Sequence, residues 1–178
     1  MKVKIYIEGG GDDRSLHIKC REGFRKLFEK LKLERMPSTK ACGGREAAFD
    51  DFKTALKKAP TDTYPILLVD SEAEVSGEVW EHLQNRDSWK KPQRAKDDQA
   101  QLMVQCMETW CVADRKALSQ FFGQDLQVSV LPDLHDLESK DKSDVQDALS
   151  HATRNCGKDR AYKKGKKSFE LLGQLNPT

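Results

Sequence analysis

Apolar positions recur along the first part of this chain with two different periods. Lys2 to Glu8 reads as a short strand running into Gly9-Gly10-Gly11-Asp12, and Ile66 to Val69 reads as a fully buried strand running into Asp70-Ser71-Glu72. Between them, Leu16, Cys20, Phe24, Leu27, Phe28 and Leu31 step by threes and fours, which predicts a helix capped by Asp12, Asp13 or Ser15. Met36 to Ala41 predicts a second short strand closed by Gly43-Gly44. Ala47, Ala48, Phe49, Phe52, Ala55 and Leu56 then predict a second amphipathic helix, ended by Pro60. The order is β-α-β-α-β, and right-handed crossovers bring Glu8 and Asp70 to the same sheet edge.

The pattern changes after this core. Residues 73–98 form a polar excursion with Trp80, Trp89 and Pro92 as anchors. Asp97-Asp98 is read as the cap of a helix with the stripe Ala100, Met103, Val104, Met107, Trp110 and Cys111. Ala117, Leu118, Phe121 and Phe122 continue helically until Gly123 stops them. A final short helix is expected from Ser168 to Leu175. The whole chain, 1–178, is thus expected to be one α/β domain. A core over 1–72 is followed by the excursion and by a helical half, 99–178, that ends in a basic tail.

Composition narrows the class. The chain has 178 residues, enough for a core, with 37% hydrophobic residues, 34% charged residues and a formal net charge of +2. No stretch approaches the roughly 18 apolar residues of a membrane span. The first residues enter a strand directly, which predicts no signal peptide. Five cysteines without a CxxC pair argue against a disulfide framework or a zinc site. Cys20, Cys106 and Cys111 fall on apolar stripes, as buried reduced thiols do. The expected setting is cytoplasmic.

Candidate chemistry lies at the two acidic strand ends. Open α/β sheets bind ligands beyond the carboxyl ends of their strands. Carboxylates clustered there repel one another unless a cation sits among them. An all-oxygen ligand set suits Mg²⁺ or Mn²⁺. Glu8, Asp70 and Glu72 are therefore the predicted metal ligands, with Asp12 and Glu108 as candidates for a second site. Asp12 serves equally as a helix cap. The GxGxxG spacing of a dinucleotide loop is absent. Glu108 sits at the edge of an apolar stripe and Asp114 near its middle, where Asp114 reads as an N-cap and Trp110 as core. The tail divides by charge. Six acids lie between Asp133 and Asp147, with Lys140 and Lys142 in opposition, and seven cations follow: Arg154, Lys158, Arg160, Lys163, Lys164, Lys166 and Lys167. Such a run either contacts a phosphate backbone or is solvated surface.

These residues resemble a Toprim domain, the metal-binding fold of topoisomerases, bacterial primases and OLD-type nucleases. That family places a Glu after its first strand and a DxD after a later one, which fall here on Glu8 and on Asp70 and Glu72. OLD-type nucleases also carry an Asp four residues after the Glu, matching Asp12. The chain more closely resembles the small bacterial Toprim-like proteins of the domain-of-unknown-function 4276 family. Glu8 to Asp12, Cys42-Gly43-Gly44-Arg45, Leu67 to Glu72, Gln105 to Asp114 and Arg160 to Lys167 carry that likeness. Glu72 departs from the family's Asp and lengthens the reach to a metal, and no tyrosine is placed for strand passage.

The resemblance implies a Toprim-like (Rossmann-like) parallel sheet flanked by helices, and a metal-dependent nuclease acting on DNA or RNA. It also implies an ATPase partner in phage defence. On this reading Glu8 is a ligand and base, Asp70 and Glu72 hold one or two ions, and Lys166 or Lys163 neutralises the transition state. The alternatives are a non-catalytic subunit that binds an ATPase or nucleic acid, and a nucleotide-binding module.

Overall fold

The computed structural model describes residues 1–178 apart from 59, 158 and 178. Strands β1 (Lys2–Gly10), β2 (Ser38–Gly43), β3 (Thr63–Asp70) and β4 (Ala100–Met103) form one parallel sheet in the order β2-β1-β3-β4. Seven α-helices flank it among the described residues: α1 (Arg14–Glu29), α2 (Arg45–Lys58), α3 (Val79–Asp87), α4 (Met107–Ala113), α5 (Arg115–Phe122), α6 (Lys142–Thr153) and α7 (Lys166–Leu172). The arrangement is α/β and Rossmann-like.

Strand alternation divides the core in two. Ile5, Ile7, Leu68 and Met103 point to one face, where α1 and the helices of the C-terminal half cover them. Tyr6, Leu67, Val69 and Ala100 point to the other, against α2, α3 and the tryptophans Trp80 and Trp89. Burial on both faces explains why β3 reads as a continuous apolar run. The excursion is therefore anchored where its tryptophans fall. Cys20, Cys106, Cys111 and Cys156 are buried thiols, and Cys42 is half-buried. Among the described residues, no helix is long and apolar enough to cross a membrane.

Three elements depart from expectation. Ala100–Met103 is a strand, and the helix that was expected to include it begins only at Met107. Asp97–Gln99 makes a single 3₁₀ turn instead of capping a long helix. Four residues are too few to reveal a period. Tertiary pairing decides, with Leu67 opposite Ala100 and Asp70 opposite Met103. The Gln99 amide secures the strand's start by donating to the Pro65 carbonyl at 2.8 Å. Second, the acidic stretch contains α6, whose buried Val145, Leu149 and Ala152 recur at helical spacing beneath the charge. Third, the last helix runs from Lys166 to Leu172, earlier than expected.

Candidate metal centre

β1 and β3 are adjacent at the middle of the sheet. The chain leaves β1 through α1 on one face and returns to β3 through α2 on the other, so their carboxyl ends flank a topological switch point. Glu8 and Asp70 lie there, and Glu72 follows. Each offers a carboxylate oxygen within 4.8 Å of the others, and all three residues are half-buried.

The turn after β3 brings Glu72 back to this cluster. Its φ is +63°, a left-handed conformation that costs a residue with a Cβ about 1 kcal/mol or more. Neighbouring bonds hold it. Ser71 N–H donates to Met103 O and Glu72 N–H to Gln105 O, both at 2.9 Å. His82 Nε2 lies 2.8 Å from the Ser71 carbonyl and so carries the proton it donates. The expected extended alternation from Asp70 to Glu72 is thus replaced by a tight turn that reaches the same result. Opposite, the glycine loop folds under β2. Gly10 has φ +92°, and a Cβ there would lie 2.5 Å from His17 Cδ2. Gly43 has φ +83°, and its Cβ would meet Gly11 O at 2.5 Å.

Helix starts converge on the carboxylates. Asp70 Oδ1 accepts from Met107 N–H at the start of α4 at 3.0 Å, and Oδ2 lies 3.1 Å from Lys142 Nζ at the start of α6. Lys142 also bonds Glu72. Arg45, which opens α2, reaches Glu8 Oε2 at 3.1 Å and the Asp70 carbonyl. Its other face pairs with Asp87 at 2.9 and 2.6 Å. Arg86 stands 3.7 Å from Glu72. Four carboxylates therefore face three cations, leaving a single net negative charge. The expected repulsion is largely offset by side chains of the protein itself.

Burial still dominates the titration of Asp70. It pushes the carboxyl up to about 7, against the pull of Lys142 and with help from Glu8 and Glu108. Glu8 is also raised by burial, which outweighs Arg45. Burial opposes the charge of Lys142, but Asp70 and Glu72 prevail and hold its pKa above the usual lysine value.

A cavity of about 470 Å³ opens over Glu8, Asp70 and Lys142 and is also lined by Asp12, Glu108 and Lys164. Asp12 is exposed and outside the carboxylate cluster; the cap of α1 is its neighbour Asp13, which accepts from Ser15 N–H at 2.7 Å. Glu108 is only 4% exposed, and its Oε1 accepts from Tyr162 at 2.8 Å and Ser168 at 2.9 Å. Gln146 approaches its other oxygen at 3.4 Å. Asp114 caps α5 through Ala117 N–H at 2.9 Å, and Trp110 packs half-buried on the core.

The basic tail is divided in use. Lys166, which opens α7, and Lys163 are exposed and do not line the cavity; Lys164 does line it. Arg160 donates to the Phe121 and Phe122 carbonyls at the end of α5, and Lys167 pairs with Glu170 at 3.2 Å. Arg154 is exposed, and Lys158 lies outside the described residues.

Sequence reasoning gave no role to Lys142, Arg45, Arg86 or Asp87. Arg45 had a signal, since it follows the glycine pair that ends β2. Lys142 stood out only as a cation within an acidic stretch.

The donor set fits a hard divalent ion. Three carboxylate oxygens within 4.8 Å of one another lie near the spacings of Mg²⁺ ligands, about 3.0 Å for adjacent and about 4.2 Å for opposite positions, so modest side-chain movement would bring them onto one ion. Glu8, Asp70 and Glu72 could therefore hold such an ion. No curated protein and no solved structure matches the chain. Residues 7–178 match the family described as Domain of unknown function (DUF4276), and the chain belongs to that family.

Proposed function

We propose that this protein is a Toprim-like, metal-dependent phosphodiesterase that cleaves DNA or RNA in the cytoplasm, as a nuclease working beside an ATPase in phage defence. The observation that carries the proposal is the convergence of Glu8, Asp70 and Glu72 within 4.8 Å at the ends of β1 and β3. They would hold Mg²⁺ or Mn²⁺, which when bound polarises a phosphoryl oxygen and stabilises the attacking and leaving oxygens. Glu8 is placed to accept the proton of an attacking water, since burial raises its basicity. Lys142 and Lys164 border the cavity and assume the charge-neutralising role expected of Lys166 or Lys163.

One observation favours a second reading. Lys142 already joins Asp70 to Glu72, so the cluster is compensated without a metal, as a non-catalytic adaptor subunit would need. Incubating the pure protein with plasmid, single-stranded DNA and tRNA in Mn²⁺ or EDTA separates the two. Cleavage in Mn²⁺ alone, lost in Asp70→Asn, supports the nuclease. Intact substrates across the panel assign the adaptor role.

A further inference from the structure

A second concavity, of about 900 Å³, lies between α2 and the segment that follows α3. Asp87 lines it, and the guanidinium of Arg45 that grips Asp87 also reaches Glu8, so the two concave surfaces meet across one ion-paired arginine. The segment over this groove is firmly anchored. Trp89, 5% exposed, stacks on Phe49 with centroids 4.2 Å apart and donates its indole N–H to Glu46 at 2.9 Å. Ala95 is buried and closes a turn onto the Pro92 carbonyl at 2.8 Å.

This anchored segment holds its cations outward. Lys90 and Arg94 are exposed on it, and Lys57 is exposed on the facing helix. Among the described residues none of the three pairs with a carboxylate, whereas Lys53 beside them pairs with Asp50 at 2.7 Å. Leu56 and Pro92, half-buried, supply apolar wall. The four cations of the groove, Lys53, Lys57, Lys90 and Arg94, outnumber its two carboxylates, Glu46 and Asp87, which are already bonded to Trp89 and Arg45, so the groove presents a net positive face beside an apolar wall. A chain of phosphates with apolar faces between them satisfies both features of the groove. The basic tail is a poorer match, because Arg160 and Lys167 are committed to partners within the protein, and the exposed Lys163 and Lys166 line neither concavity.

We propose that this groove binds the sugar–phosphate backbone of a nucleic-acid strand and leads it to Glu8, Asp70 and Glu72, with Lys57, Lys90 and Arg94 contacting phosphates. The proposal rests on the phosphodiester reading of the acidic site, but the binding it describes needs no metal. Fluorescence anisotropy in EDTA, with labelled poly(dT) and poly(U), therefore tests it apart from cleavage. Replacing Lys57, Lys90 and Arg94 together by Gln should weaken binding about tenfold or more at low salt. It should also flatten the slope of log affinity against log salt by about 2, or about 0.7 for each lost contact. Exchanging Lys57 and Lys90 for Arg and Arg94 for Lys should preserve binding. Neutralising Lys163, Lys164 and Lys166 should cost less than neutralising the groove. An unchanged slope in the groove variant, absent binding by the wild type, or equal loss in the charge-preserving variant would overturn the proposal. Equal competition by polyglutamate would overturn it in favour of an acidic protein partner. Normal binding in EDTA with no cleavage in Mn²⁺ would instead defeat the phosphodiesterase reading and leave the groove standing.

Discussion

Asp70 and Glu108 line the same cavity, yet their surroundings suit opposite ends. Glu108 is enclosed, and its oxygens are taken by the neutral donors Tyr162, Ser168 and Gln146. Burial, with Glu108 beside it, drives the Tyr162 hydroxyl pKa far upward, so the hydroxyl stays a donor. Asp70 is held by one backbone N–H and by the single ammonium group of Lys142, and it shares its site with two more carboxylates. Burial of an acid therefore does not mark a reactive centre. On the proposed reading the mark is a carboxylate whose partner is exchangeable, since a divalent ion can replace an ammonium group but cannot cheaply replace a network of hydroxyls.

The largest effect that tests this contrast is at Asp70. Mg²⁺ or Mn²⁺ should stabilise the wild type by about 2.7 kcal/mol at 100 times its Kd, a Tm rise of about 5–10 °C. Asp70→Asn and Glu8→Gln should abolish that rise and reduce any nuclease activity more than about 100-fold. Without metal at neutral pH or above, Asp70→Asn should match or exceed the wild-type Tm, because it removes a charge that burial disfavours. Thermal melts with and without Mn²⁺ check both halves. A full metal shift in Asp70→Asn would place the ion elsewhere.

The comparison also explains what could be read in advance. Glu8, Asp70 and Glu72 were legible because each follows an apolar strand, and parallel topology then carries the strand ends together. The Rossmann-like order was legible for the same reason. Glu108 was ambiguous, since an acid beside an apolar stripe needs partners, and those partners, Tyr162 and Ser168, come from far along the chain. Lys142 and Arg45 were missed as site residues because long cations look alike in sequence whether they meet solvent or a carboxylate. β4 was misread because pairing with β3, a distant contact, outweighed the local pattern of Ala100 to Met103. Local periodicity reports an element's own burial; it does not report which chain ends meet across a cavity.

An effect of similar size on Tm, but without loss of metal binding, is expected at Glu108. Glu108→Ala leaves the Tyr162 hydroxyl and Ser168 with little but each other, 3.2 Å apart in a buried setting. The lost bonds and the cavity should cost about 2–4 kcal/mol, a Tm decrease of about 5–10 °C, with or without metal. The metal-induced rise should persist on this lower baseline, and differential scanning calorimetry reads both quantities. If the metal shift disappears while the baseline Tm holds, Glu108 belongs with the ligands and the contrast with Asp70 fails.

The smallest effect is the pH dependence of metal binding. Asp70 has its pKa raised from 3.8 to about 7 in the folded protein. The sign follows from which form the fold prefers. Protonated Asp70 favours folding, so this stabilisation is complete below 3.8 and is lost as pH rises through about 7. A divalent ion needs the deprotonated form, so its apparent affinity should rise about tenfold between about pH 6 and about pH 8 and level off above. Lys142 is the principal group pulling the Asp70 pKa down, so Lys142→Met should move the midpoint upward while freeing both carboxylates above it. Isothermal titration with Mn²⁺ across that range distinguishes the cases. A flat wild-type profile would mean that Asp70 does not ligate the ion, and a midpoint unmoved in Lys142→Met would mean that the ammonium group is not the partner a metal displaces.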